Sequence, residues 1–123
     1  RDWGHAKDYV EAMWKMMQQK ISSDYVISTG NQYTVKQFVN LTLKELNIKF
    51  TWRGRGIKSK CFDSKGNCII QCDKEYYRPL EVDNLLGDSR KARKELNWKP
   101  KTTIKELVKE MVSSELESLT THD

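Results

Sequence analysis

Thr103 and Glu106 stand three apart just beyond Pro100, and Ile104, Leu107, Val108, Met111, Val112, Leu116 and Leu119 follow at helical spacing. In such a T-x-x-E box the hydroxyl and the carboxylate each satisfy a backbone N–H that the first turn of a helix leaves open. The spacing predicts a long amphipathic helix, which must lay its apolar stripe on something. Thr34 and Gln37 form a second box, T-x-x-Q, ahead of Val35, Phe38, Val39, Leu43 and Leu46. Tyr9, Val10, Met13, Trp14 and Met17 make a third stripe and predict a helix over about residues 5–19. Three such faces need cover, yet Leu, Ile, Val and Phe supply only 27 of the 123 residues. That share lies just above the roughly 20% below which disorder is the default, so the expected core is thin.

Between the first two helices, Asp24-Tyr25-Val26-Ile27-Ser28-Thr29 is rich in β-formers and stops at Gly30-Asn31. Residues 48–52 alternate again and predict a second strand. Strand, helix, strand over about 30 residues is the pattern of a βαβ unit, with parallel strands and a right-handed crossover. The expected fold class is therefore α/β: a small parallel sheet with packed helices. From Arg53 to Asn67 the periodicity is lost, and Gly54, Gly56 and Gly66 among Lys58, Lys60 and Lys65 predict an exposed loop or hairpin. Cys68 to Cys72 reads as a short strand, and Ser89 as the cap of a short helix running to about Leu96. The last residues, from Thr120 to Asp123, are expected to fray.

Several function classes fall away. No apolar run is long enough to cross a membrane as a helix. Arg1-Asp2-Trp3-Gly4-His5 has no apolar signal region, and the absence of a starting Met suggests a piece of something longer. Cys61, Cys68 and Cys72 lack the spacing of a zinc site. Cys68 and Cys72 on one strand face would lie about 13 Å apart, too far to bridge, so reduced thiols in a cytoplasmic protein are expected. Gly54-Arg55-Gly56-Ile57-Lys58-Ser59 has Ser where a dinucleotide loop needs its third glycine. Neither a P-loop, a G-x-S-x-G elbow nor an H-E-x-x-H motif is present. Gly87-Asp88-Ser89 is read as a helix cap, not a nucleophile.

Some residues carry chemistry of a simpler kind. His5 lies near Asp2 and Asp8 and fits a structural hydrogen bond, while Asp8 suits the positive end of a helix dipole. The chain has 22 Lys and Arg against 17 Asp and Glu, a formal charge of +5. Trp52-Arg53-Gly54-Arg55-Gly56 pairs an aromatic ring with arginines, as single-strand binders do. Elsewhere, as in Lys105-Glu106 and Lys109-Glu110, the signs interleave like a solvated helix face, which disfavours nucleic acid. Arg1 precedes a helix, and Arg78 sits in Tyr-Tyr-Arg-Pro with Glu81 three residues on. An extended Arg beside Pro can clamp phosphate oxygens through its planar fork, with Glu81 accepting from a sugar hydroxyl. An internal Arg78–Glu81 ion pair fits the spacing equally well.

Three segments break that tie: Arg1-Asp2-Trp3-Gly4-His5-Ala6-Lys7-Asp8-Tyr9-Val10, then Tyr77-Arg78-Pro79-Leu80-Glu81-Val82-Asp83 with Leu85-Leu86-Gly87-Asp88, then Leu96-Asn97-Trp98-Lys99-Pro100. In this order and at this spacing they closely resemble the GDP-mannose 4,6-dehydratase family of extended short-chain dehydrogenases/reductases. The resemblance covers nearly the whole chain, apart from the loop from about Arg53 to Gly66. Asn97 stands where many relatives have Gly, which a turn tolerates.

The resemblance implies that residues 1–123 are the C-terminal, substrate-binding portion of such an enzyme. It places Arg1 and Arg78 opposite the diphosphate of GDP-mannose and Glu81 beside a ribose hydroxyl. NADP and the catalytic residues, including a Tyr-x-x-x-Lys pair, belong to an N-terminal Rossmann domain absent from this chain. No tyrosine here has a Lys four positions on. The family oxidises the mannose at C4, eliminates water across C5 and C6 and returns the hydride to C6, giving GDP-4-keto-6-deoxy-mannose for GDP-fucose synthesis. The fragment alone is expected to bind and not to catalyse, and the complete enzyme to be a cytoplasmic homo-oligomer. The competing readings are a non-catalytic interaction or nucleic-acid-binding module and a related nucleotide-sugar epimerase.

Overall fold

The computed structural model describes residues 1–76 and 85–120. Its elements, in chain order, are α1 (Ala6–Met17), α2 (Val35–Glu45), β1 (Phe50–Arg53), β2 (Lys60–Asp63), β3 (Cys68–Gln71), α3 (Arg90–Glu95) and α4 (Ile104–Thr120). The two capping boxes start their helices as expected. Thr34 N–H donates to Gln37 Oε1 at 2.7 Å while Gln37 N–H donates to Thr34 Oγ1 at 3.1 Å. At α4 the corresponding distances are 2.7 Å from Thr103 N–H to Glu106 Oε2 and 3.3 Å in return. The first of these bonds, with the Thr103 hydroxyl also donating to the carboxylate, holds the Glu106 carboxyl below its usual range.

The sheet is antiparallel, not parallel. Its order is β1-β2-β3, with Trp52 opposite Cys61, Arg53 opposite Lys60, and Cys61 opposite Ile70 across an irregularity at Cys61/Phe62. Of the alternatives for residues 53–67, the hairpin is what forms. Residues 24–29 take no strand pairing among the described residues. The reason is physical: a strand exists only with a hydrogen-bonded edge beside it, and β1 gives its edge to β2, its neighbour in sequence. A single 3₁₀ turn, Gly56–Lys58, joins β1 to β2. Gly54 is required there: its φ is +80°, and a Cβ would meet the Lys58 carbonyl oxygen at 2.3 Å. The β2–β3 turn is tied by Asp63, whose carboxylate accepts from Lys65 N–H at 2.9 Å and from Asn67 N–H at 2.8 Å.

The core is as thin as the composition requires. One cluster joins Ala12 of α1 to Ala92, Leu96 and Trp98, with Tyr9, Met16, Tyr25 and Ile27 packed around it. Trp98 is 1% exposed, and its indole N–H donates to the Asp8 carbonyl at 2.7 Å. Leu43 of α2 and Ile104 and Val108 of α4 form a second buried group. At α1 the expected buried face is reversed. Val10, Met13, Trp14 and Met17 are 59–81% exposed, whereas Ala12 is fully buried. The small side chain lets the helix approach Ala92 and Trp98 closely, which fixes the other face outward. Asn97 ends α3 with φ 47°, the left-handed conformation that Asn tolerates better than most residues.

Candidate functional site

The segment Arg1 to Gly4 is fastened on every side. The Arg1 carbonyl accepts from Tyr33 N–H at 2.8 Å, and the Arg1 backbone nitrogen donates to the Tyr33 carbonyl at 2.6 Å. Asp2 staples the opposite loop: its carboxylate accepts from Thr29 N–H at 3.0 Å, Thr29 Oγ1 at 2.5 Å and Gly30 N–H at 2.9 Å. The Trp3 ring lies 5.0 Å from that of Phe38, tilted by 45°. Gly4 faces Tyr9 so closely that a Cβ would stand 2.5 Å from the phenol oxygen. Burial and the nearby Asp2 and Asp8 charges raise the Tyr9 pKa, which keeps the phenol protonated.

This frame holds the backbone of Arg1 in one place, and three of its members, Trp3, Thr29 and Tyr33, border a cavity of about 150 Å³ that Arg1 itself does not line. Trp3, Thr29 and Tyr33 line one side of it, and Lys101, Thr102 and Ile104 the other. That volume lies below the roughly 300–1,000 Å³ of a complete ligand pocket. Arg93 of α3 reaches the same loop, donating to the Thr29 carbonyl at 3.0 Å and to Ser89 Oγ at 3.2 Å. Arg78 and Glu81, the other two predicted site residues, lie outside the described residues.

Two polar residues read from the sequence have structural work. His5 caps α1, its Nδ1 accepting from Lys7 N–H at 3.0 Å, and its Nε2 meets Glu110 Oε1 at 3.0 Å. That contact, with Lys7 beside it, lowers the Glu110 pKa. Asp8 is buried and accepts from both Lys101 N–H and Thr102 N–H at 3.0 Å, a role beyond the dipole argument. Ser89 occupies the expected cap position of α3, yet Asp88 performs the capping by accepting from Arg90 N–H at 3.0 Å. The Arg90 side chain and that N–H bring the Asp88 pKa down to about 2. Arg93, and the burial of Asp8 against the Lys101 and Thr102 amides, were missed from sequence.

The described residues do not fit a dinucleotide. Gly54-Arg55-Gly56 opens a 3₁₀ turn between antiparallel strands, whereas pyrophosphate binding needs a strand that runs into a helix N-terminus. No group of three or more His, Cys, Asp or Glu able to hold a metal is found among the described residues. Among them, too, no helix is long and apolar enough to cross a membrane.

Among the described residues the arrangement is a small α/β unit in which the Arg1 backbone is held against Tyr33 and buried polar side chains such as Asp8 bond to backbone amides. A family model described as GDP-mannose 4,6 dehydratase matches residues 1–111, and the chain belongs to that family. It is 48% identical over 116 residues to "GDP-mannose 4,6 dehydratase 2" of Caenorhabditis elegans, covering 94% of this chain and 30% of that protein. "GDP-mannose 4,6 dehydratase" of Dictyostelium discoideum is 48% identical over 124 residues, which cover 100% of this chain and 35% of the relative. For "GDP-mannose 4,6-dehydratase" of Vibrio cholerae serotype O1 the identity is 42% over 133 residues, covering 99% and 36%. The chain thus spans about a third of the length of the curated relatives it matches, and it corresponds to their C-terminal part.

Proposed function

We propose that this chain is the nucleotide-sugar-binding lobe of a GDP-mannose 4,6-dehydratase of the extended short-chain dehydrogenase/reductase type. Arg1 and Arg78 bind the diphosphate of GDP-mannose, and Glu81 accepts from a ribose hydroxyl. The observation that carries this reading, within the family membership, is the stapling of Arg1 through Asp2, Trp3 and Tyr33. A guanidinium on a fixed backbone loses little freedom on meeting a phosphate, and its two parallel donors match two oxygens.

NADP and the redox chemistry then belong to a Rossmann domain supplied by a longer chain, and the complete enzyme assembles as a homo-oligomer in the cytoplasm. The exposed stripe of Val10, Met13, Trp14 and Met17 supports a further domain, since it is apolar, contiguous along α1 and uncovered. Calorimetric titration of the chain with GDP-mannose tests the binding reading. Arg1→Ala and Arg78→Ala should each weaken binding by about 1.5–3 kcal/mol, the scale of a charged hydrogen bond. Unchanged affinity in both variants would refute the assignment.

A further inference from the structure

Residues 46–67 hold six cations, Lys49, Arg53, Arg55, Lys58, Lys60 and Lys65, and one carboxylate, Asp63. This segment therefore carries the whole formal +5 of the chain, and the other 101 residues balance at sixteen charges of each sign. The same stretch contains β1, the 3₁₀ turn, β2 and the turn into β3. Arg53, Arg55, Lys58, Lys60 and Lys65 are all exposed. None of the six meets a carboxylate within 4 Å among the described residues, so their charge is not neutralised locally as that of Lys7, Lys15, Arg90 and Lys101 is, though Lys20, Lys36 and Lys44 elsewhere share that state. Asp63 is occupied by its own turn, where Asn67 and Lys65 hold its pKa down.

The sheet also breaks a local rule. Arg53 and Lys60 are directly opposite in the β1–β2 register, and like charges facing each other across strands are destabilising. Such local conflicts are expected where a function requires them. We propose that the surface of the β1–β2 hairpin and its flanking turns binds a phosphate-rich polyanion and recognises it through its phosphates.

The remaining chemistry selects that ligand. The Trp52 indole is engaged: its N–H donates to Asn40 Oδ1 at 2.7 Å and Lys36 Nζ lies 4.7 Å from the ring centre. Phe62 is covered by the Arg53 guanidinium at 4.9 Å. Neither ring offers a platform for base stacking, which sequence-tolerant strand binding relies on. Protein interfaces centre on an apolar patch from which Lys is depleted. Here Ile69 of β3 and Ile48, just ahead of β1, are only 39% and 37% exposed. Exposed cations are what is left, Arg53 and Lys60 side by side in the register, and they suit a ligand that carries several phosphates.

The test uses the full chain, tripolyphosphate, a 15-mer of oligothymidylate and poly-glutamate of equal charge, titrated at low salt. Arg55→Gln with Lys58→Gln is the informative variant, because only the backbones of these residues form hydrogen bonds in the turn. An unchanged melting temperature confirms that the fold is kept. Tripolyphosphate should bind, and the double variant should weaken it at least ten-fold while leaving GDP-mannose binding unchanged. If the oligonucleotide also binds, its salt slope should fall by about 1.4 in the variant, at about 0.7 per phosphate contact. The tighter of the two then identifies the source as free polyphosphate or a nucleic-acid backbone. The proposal is overturned if tripolyphosphate does not bind, if the double variant binds it as wild type does, or if poly-glutamate binds equally well.

Discussion

Replacing Asp8 by Ala removes the acceptor of two backbone amides at once, those of Lys101 and Thr102. Each donor left buried without a partner costs about 1–3 kcal/mol, so Asp8→Ala should destabilise the fold by about 2–4 kcal/mol in urea denaturation. Asp8→Asn keeps one acceptor oxygen and should recover part of that loss. A mutant as stable as wild type would show that water replaces the carboxylate. Nothing in the spacing of Asp8 announces this role, because its partners are 93 and 94 residues away. The cap residues behave differently. Thr34, Thr103 and Asn97 act on neighbours within a few positions, and local text was enough to place them.

The same division between local and distant causes holds for whole elements. Helices α2 and α4 were legible because their start signals and stripes are contained within them. Thr103→Ala should therefore cost about 0.5–2 kcal/mol in thermal or urea unfolding, the usual range for losing a cap. Glu106→Gln, which keeps an acceptor for Thr103 N–H, should cost less. The sheet was half legible. Residues near 50 and near 70 read as strands and are strands, but whether two strands run parallel depends on which edges meet. Residues 24–29 have the composition of a strand and no partner for it here, while β2 was obscured by Lys60 and the glycines before it. Helix α4 shows a milder case. Its stripe is only partly covered: Met111, Leu116 and Leu119 stay half-exposed or more and, with Phe38, Thr42 and Leu46 on the α2 side, line an apolar cavity of about 280 Å³.

At the scale of the molecule, the exposed stripe of α1 is the largest departure from what periodicity predicted. Asp8 and Ala12 face inward instead, and the family membership gives that reversal a sense: about two thirds of the relatives' length lies outside this match. Met13→Lys with Trp14→Glu should shift the stability of this chain by no more than about 0.5 kcal/mol per site, as at other exposed positions. It should also lower light scattering at high concentration, because an apolar patch is removed. A large fall in melting temperature would mean that the stripe is packed after all. Of the candidate site, the structure shows only that the Arg1 backbone is held against Tyr33, while Arg78 and Glu81 lie outside the described residues. The charge imbalance is readable in the sequence as the run from Lys49 to Lys65, and the structure adds that Arg53 and Lys60 of that run face each other across two strands.

The indole bond from Trp98 to the Asp8 carbonyl joins residues 90 positions apart. Hairpins and capped helices can organise early, from neighbours, but this junction has to wait until a long ring of chain is drawn shut. In a refolding time course followed by hydrogen exchange, the Lys101 and Thr102 amides become protected when that ring closes, and they timestamp the last act of assembly.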